Sequence, residues 1–274
     1  IDKFWYYSKI IPREQEVLAS FNRVCYLDGT EKPPYSYKRT AVGRFVSDNN
    51  INLFIMNQER RIQTLETRFS KGKIISVDVK ALEPRVMLAV LNPQVIENCE
   101  DVYQTVANLS GLDIDRNIIK LCLLKILNGA SNQVVMDGTN LSTQEANKLR
   151  EFVHRLFNYK EKVASLREMA NEKGRIFNHF GRPHKIDTDN DSLLFTYFMQ
   201  STSAEVCIIL FSNIVRLLKA QGIQKNALPI AMIYDSFILD VKDGFESNVE
   251  KILDDATKIK IENKQFSFPM SFTV

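Results

Sequence analysis

Two aspartates stand where strand-forming sequence should exclude them. Asp78 lies in I-I-S-V-D-V and Asp235 in A-M-I-Y-D-S-F-I-L-D-V, both stretches apolar and rich in β-branched or aromatic residues. A carboxylate in such a pattern is expensive to bury unless a hydrogen-bond donor, a counter-charge or a metal ion compensates it. Either acid alone is read most simply as a strand-end residue in a turn or salt bridge. Together, with a basic helix between them in sequence, they form a candidate two-metal site, because two carboxylates suffice for Mg²⁺ that keeps waters and substrate phosphates as its other ligands.

The 274 residues are enough for one large domain or two subdomains sharing a cleft. A net charge of +3 neither requires nor excludes a polyanionic partner. Cys25, Cys99, Cys122 and Cys207 are scattered, with no C-x-x-C pair, which argues against a zinc site or disulfide framework. That usage fits a reducing, intracellular setting: cytoplasm, organelle or infected-cell cytoplasm. The opening I-D-K-F-W-Y-Y lacks the order of a secretory signal, and Trp5, Tyr6 and Tyr7 read as docking or core aromatics. Leu193 to Val215 carries one charge, Glu205, but Gln200, Ser201, Thr202, Ser203, Ser212 and Asn213 interrupt it, so it reads as a buried core helix and no membrane partner is expected.

The pattern along the chain is mixed. Residues 1–36 are expected to be an N-terminal extension or the remnant of another domain, and 37–58 to be short strands and turns. Ile74–Val79 reads as a strand, and the A-L-E-P-R run after it as a helix with Pro84 in its first turn. Asp115 is placed to cap a helix from Arg116 to about Leu127, stopped near Gly129. Ser142–Glu145 is a capping-box signature before an amphipathic run. A small hairpin or loop is expected over 174–186, an apolar helix over 193–220, and a hairpin around Asp235 followed by a final helix and strand. Strands at both ends with helices between them give an α+β fold.

Arg116, Lys120, Leu124 and Asn128 recur every four residues, hence on one face of their helix. The cations sit at its N-terminal end, where the dipole already favours anions, so this face could hold a triphosphate; a solvated basic face is the plainer reading.

With those residues in view, the chain from about residue 37 onward resembles family A DNA polymerases, the bacterial polymerase I class. The family's D-Y-S-Q-I-E-L-R corresponds to D-V-K-A-L-E-P-R, keeping Asp78, Glu83 and Arg85. Its R-x-x-x-K-x-x-x-F-x-x-x-Y-G-x-S is matched at Arg116, Lys120, Gly129 and Ser131, and its V-H-D-E by I-Y-D-S at Ile233–Ser236. T-A-V-G-R at Thr40–Arg44, N-H-F-G-R-P at Asn178–Pro183 and M-Q-S-T-S-A-E at Met199–Glu205 are similar to three further family segments, in the right order.

The resemblance implies a right-hand polymerase: an antiparallel palm sheet in two parts, 37–90 and 186–274, with a helical fingers insertion over 91–185. It implies template-directed addition of deoxynucleotides to a primer 3′-hydroxyl. Asp78, Asp235 and the backbone carbonyl of Val79 would hold two Mg²⁺ ions. Arg116 and Lys120 would hold the dNTP phosphates, and Glu83 would exclude a 2′-hydroxyl. Leu124 and Asn128 would line the nucleotide site, in place of the family's aromatic and tyrosine. Arg44, Arg85, Gln200 and Tyr234 would lie against primer-template DNA, joined by Arg182. Since only 36 residues precede the similar region, the chain is part of a longer polymerase, or a thumb, exonuclease or processivity subunit is a separate partner, or the enzyme is distributive.

Asn128 and the D-S-F at 235–237, shared with single-subunit phage RNA polymerases, make a sugar-tolerant or RNA-synthesising polymerase the first alternative. A catalytically silent DNA-binding subunit is the second. D-T-D-N-D-S at 187–192 lacks the glycine and the final glutamate of a calcium loop, His154, His179 and His184 lack metal spacing, and no phosphate-binding G-x-x-x-x-G-K motif is present.

Overall fold

The computed structural model describes residues 37–47, 62, 65–97, 99–186 and 189–274. Trp5, Tyr6 and Tyr7, the expected N-terminal extension and the whole of the 48–58 segment lie outside them. The elements begin with β1 (Tyr37–Arg39), β2 (Phe45–Ser47) and β3 (Gly72–Val79). A helical run follows: α1 (Leu82–Leu91), α2 (Pro93–Ile96), α3 (Val102–Ser110), α4 (Arg116–Leu127), α5 (Asn132–Met136), α6 (Thr143–Leu156) and α7 (Tyr159–Lys173). A hairpin of β4 (Arg175–Phe177) and β5 (Pro183–Lys185) leads to α8 (Asp191–Ala220). The chain closes with β6 (Ala227–Ile233), β7 (Ser236–Lys242), α9 (Glu246–Ala256), β8 (Lys258–Ile261), β9 (Lys264–Ser267) and β10 (Met270–Thr273).

Two compact units result. The first comprises the described residues up to Val79, with Phe211–Ala256 and Pro269–Val274. Its centre is an antiparallel sheet in the order β10-β3-β7-β6. Pairing of Val77 with Phe237 and of Asp78 with Ser236 sets the register of β3 against β7. Because side chains alternate, Ile75, Val77 and Val79 share a face with Phe237, Leu239 and Val241, while Ile74, Ser76 and Asp78 share the other with Ser236, Ile238 and Asp240. Phe211, from the end of α8, stacks on Phe237 at 4.7 Å and covers the apolar face. The sequence pattern is therefore mixed because one face of β3 is core and the other carries polar groups.

The second unit comprises Lys80–Leu210 and Thr257–Phe268. Its helices start where their caps dictate. Asp115 accepts from the Asn117 N–H at 2.7 Å, and Ser142 and Glu145 form the expected reciprocal capping box. Buried Ile119, Cys122, Leu123, Ile126 and Leu127 orient α4, leaving Asn117, Lys120 and Leu121 outward. By length and composition α8 could cross a bilayer, yet more than half of its most apolar stretch lies inside the protein, with Leu194, Phe195, Phe198, Met199 and Val206 buried.

The units divide at 79/80, 210/211, 256/257 and 268/269, with α1 and the first two-thirds of α8 in the helical unit. The structure departs from expectation near the C-terminus. The chain ends in three short strands after α9 instead of one. The K-I-K-I of β8 alternates exposed lysines with buried isoleucines, but its turn runs through Glu262 at a φ of 54°, a residue that carries no turn signal in sequence.

Candidate active site

Asp78 occupies the second-last position of β3, half-buried, and its carboxylate accepts hydrogen bonds from the Ser236 hydroxyl across the sheet and the Ser76 hydroxyl at 3.4 Å on its own strand. Asp235 is not within a strand. It is the second residue of the two-residue turn that joins β6 to β7, with Ile233 paired to Ser236. The turn is strained: Tyr234, 44% exposed, has a φ of 54°, which for a bulky residue costs about 1–3 kcal/mol. The Asp235 carbonyl accepts from the Val79 N–H at 3.2 Å, so the β3–β7 ladder runs on into the turn. Asp78, Val79 and exposed Asp235 are thereby brought to the same end of adjacent strands, from distant parts of the sequence.

The side chains at this end of the strands include two carboxylates, with hydroxyls on the Asp78 carboxylate. That set is hard and oxygen-only, and it fits Mg²⁺, which takes one or two protein carboxylates beside substrate oxygens. Among the described residues no cluster of three or more His, Cys, Asp or Glu that could hold a metal ion is present, at this site or elsewhere.

A third strand acid was missed. Asp240, wholly buried on β7, accepts from the Thr67 hydroxyl at 2.6 Å and from the Arg68 N–H and Nε at 2.9 and 3.0 Å. Burial alone would raise its carboxyl, but those hydrogen bonds and the Arg68 charge outweigh it and hold the group below the ordinary aspartate range. The reasoning that singles out Asp78 applies equally to Asp240, which is satisfied by side chains and main chain alone.

In the helical unit, α4 presents Arg116, Lys120, Leu124 and Asn128 at four-residue intervals as expected. Lys120 is exposed and has no acidic partner among the described residues. Arg116 is already engaged: Nε and Nη2 each lie 2.7 Å from Asp101 Oδ2, and the guanidinium sits 5.5 Å from the Tyr103 ring. Asp101 also caps α3; burial pushes its carboxyl up, and its bonds to Gln104, Arg116 and Tyr103 bring it below the ordinary value. Its position before V-Y-Q-T was a readable cap signal. Leu124 is half-buried. Asn128 is a structural tie, donating to the Leu124 carbonyl at 2.8 Å and accepting from the Thr196 hydroxyl of α8 at 3.0 Å. Gly129 follows at a φ of 75°, and a Cβ there would overlap the Ser192 side chain.

Arg85 and Arg182, two of the residues expected against DNA, are engaged within the protein, as is His184. Arg85 is only 2% exposed, and its two Nη groups donate to the Cys99 and Glu100 carbonyls at 2.9 and 2.8 Å, so it holds together the main chain after α2. His184 is also buried, with Nε2 2.7 Å from the Ser201 hydroxyl. Arg182 is half-buried against Glu205, which neutralises it. Gln200 and Glu83 are half-buried, Glu83 in the first turn of α1 where an acid suits the helix dipole. Arg44, also half-buried, closes the T-A-V-G-R turn: its N–H donates to the Thr40 hydroxyl at 3.2 Å, and its carbonyl accepts from the Thr40 N–H at 2.9 Å.

No protein-family profile and no curated protein sequence matches the chain. Solved structures do. The POL domain of Pol1 from M. smegmatis, in complex with DNA primer-template and dNTP, superposes with a TM-score of 0.72 over 94% of this chain, at 15% identity. The fold is that of this polymerase domain, and the chain spans about half (49%) of the solved Pol1 chain.

Proposed function

We propose that this chain is the palm and fingers of a template-directed DNA polymerase that adds deoxynucleotides to a primer 3′-hydroxyl. One observation carries the proposal: the β3–β7 register that sets Asp78 opposite Ser236, one residue from Asp235, within a polymerase fold. On this reading Asp78, Asp235 and the Val79 carbonyl hold two Mg²⁺ ions. Such a pair, when bound, supplies activation of the 3′-oxygen and charge neutralisation on the phosphates. The Ser236 and Ser76 hydroxyls fix the Asp78 carboxylate so that it need not reorganise during turnover. Lys120 neutralises the triphosphate, Arg116 contributes to the extent that Asp101 releases it, and Leu124 borders the nucleotide while Asn128 holds the helix end. Glu83 screens the sugar 2′ position. Arg44, Gln200 and Tyr234 contact primer-template DNA, where minor-groove contacts check shape more than sequence.

Primer extension tests the proposal. Wild-type protein with Mg²⁺ should incorporate dNTPs in preference to rNTPs, and Asp78→Asn and Asp235→Asn should each abolish extension while still binding primer-template. Extension by either variant at the wild-type rate would refute the acid assignment. Preference for rNTPs would move the reading to an RNA-synthesising enzyme, and binding without incorporation under any divalent metal would make the chain a silent DNA-binding subunit.

A further inference from the structure

We infer that a groove along α7 is the docking site for a helix of a partner protein, lying parallel to α7 with acidic residues in its first turn and basic residues in its last two. The groove has a volume of about 750 Å³ and lies wholly within the helical unit. One stripe of α7 lines most of it: Lys160, Val163, Ala164, Arg167, Glu168 and Glu172, spaced as a single helix face. His154 from the end of α6 and Ser192 from the start of α8 complete the lining. The Arg167 Nε donates to Asp191 at 2.8 Å and so ties α7 to the start of α8. From Lys160 to Glu172 the stripe runs about 18 Å, a little over three helical turns. Ala164 at its middle is small and exposed, which lets a second helix approach closely.

The charges on this stripe are reversed with respect to their own helix. Elsewhere on α7 the ordinary order holds, with Glu161 in the first turn and Lys173 in the last. On the groove face Lys160 stands in the first turn and Glu172 in the last, each against the helix dipole. Glu168 and Glu172, four residues apart, also repel each other. Within α7 no residue of opposite charge lies three or four positions from Lys160, Glu168 or Glu172, and none of the three has an ion pair among the described residues. A helix with the usual distribution of charge complements this face only when parallel to α7, its acids meeting Lys160 and its bases meeting Glu168 and Glu172. The wall beside α6 is already ordered: His154 stacks on Tyr159 at 4.2 Å, and Tyr159 meets buried Phe195 at 4.5 Å. Yet His154 Nε2 is buried with no hydrogen-bond partner among the described residues. Proteins pair nearly all such atoms, and a hydroxyl or amide of the occupant is a group that would pair this one. The two glutamates repel a phosphate chain, and charges of both signs spread along three turns suit a helix better than a compact small molecule. Neither the groove nor its charges depend on the polymerase reading.

The probe is a fluorescein-labelled peptide of about 15 residues, stapled on its far face so that it is helical when free. It carries glutamates in its first turn, an alanine and leucine stripe, and two lysines four residues apart near its end; the control exchanges those charges end for end. In anisotropy titrations with the 274-residue chain, the first peptide should bind about tenfold more tightly than the control. The triple variant Lys160→Glu, Glu168→Lys, Glu172→Lys should invert that preference. It should also melt at a higher temperature, since its charges now follow the dipole, which separates a changed surface from a misfolded one. Ala164→Phe, at an exposed position, should weaken binding of the first peptide about tenfold by filling the groove. Equal binding of the two peptides, no binding of either at about 1 mM, or a preference that survives in the triple variant would overturn the inference. Self-association of the wild-type chain that Ala164→Phe abolishes would overturn it as well and give the groove to a second copy. Failure of the chain to extend primers would sink the polymerase reading alone, because peptide binding needs neither metal nor nucleotide.

Discussion

Asp240 offers the sharpest test of how the sheet tolerates its acids. Its carboxylate has no solvent exposure, and three donors serve it, from Thr67 and Arg68, just before the strand that bears Asp78. Hydrogen bonds to a charged partner contribute about 1.5–3 kcal/mol each, and the penalty falls hardest when the buried charge is kept and a donor is removed. Thr67→Val does that, deleting the 2.6 Å bond while leaving the carboxylate in place; it should cost about 2–3 kcal/mol. Asp240→Asn removes the charge with nearly the same shape, weakening three bonds to neutral ones but relieving desolvation, and should cost about 1–2 kcal/mol. Urea midpoints at unchanged m-value read both. The pH dependence gives a second handle. The folded Asp240 carboxyl is depressed below its ordinary value, so its stabilisation is fully present above the unfolded value near about pH 4 and is lost as pH falls through the folded value. The wild-type advantage over Asp240→Asn should therefore shrink below about pH 4. An Asp240→Asn cost above that of Thr67→Val, or an advantage that stays constant into acid, would refute the reasoning.

Other outcomes follow from the same geometry. Asp101→Asn keeps a good helix cap for α3 but frees Arg116, so KM for dNTP should fall; an unchanged KM in steady-state extension would mean that Arg116 does not reach the nucleotide. Arg85→Met should lower stability by about 2–4 kcal/mol, because two carbonyls lose their donors, while titrations show unchanged DNA affinity of the folded protein. Asn128→Ala and Thr196→Val, combined in a double-mutant cycle, should show a coupling of about 0.5–1.5 kcal/mol; strict additivity would mean that the 3.0 Å bond between them contributes nothing.

Local signals carried most of the fold into the sequence. The Asp115 and Ser142 caps, the strand at Ile74–Val79 and the hairpin around Asp235 all have short-range chemical causes, and the structure contains each. What was not legible depends on contacts distant in sequence. Arg85 keeps its place in a motif yet points into the main chain after α2, and Arg116 faces an acid fifteen residues upstream. Residue identity marked these positions; it could not say whether a guanidinium is spent internally. Asp240 was overlooked for the same reason, since its donors lie far away in the chain. The segment bearing Arg175, Phe177 and Lys185 was foreseen as a small hairpin or loop, but its charged face appears only once the pairing register is known.

The glycine after α4 has an evolutionary consequence. Gly129 is confined twice over, by a backbone angle that suits glycine and by the side chain of Ser192 pressing against its α-carbon. Position 192 could drift to glycine and relieve the crowding, yet the backbone demand at 129 would remain. The constraint is therefore one-sided: a smaller residue at 192 would make room for a Cβ at 129 without relieving the backbone angle there. The end of α4 is thus set by an angle that no change of neighbour can release.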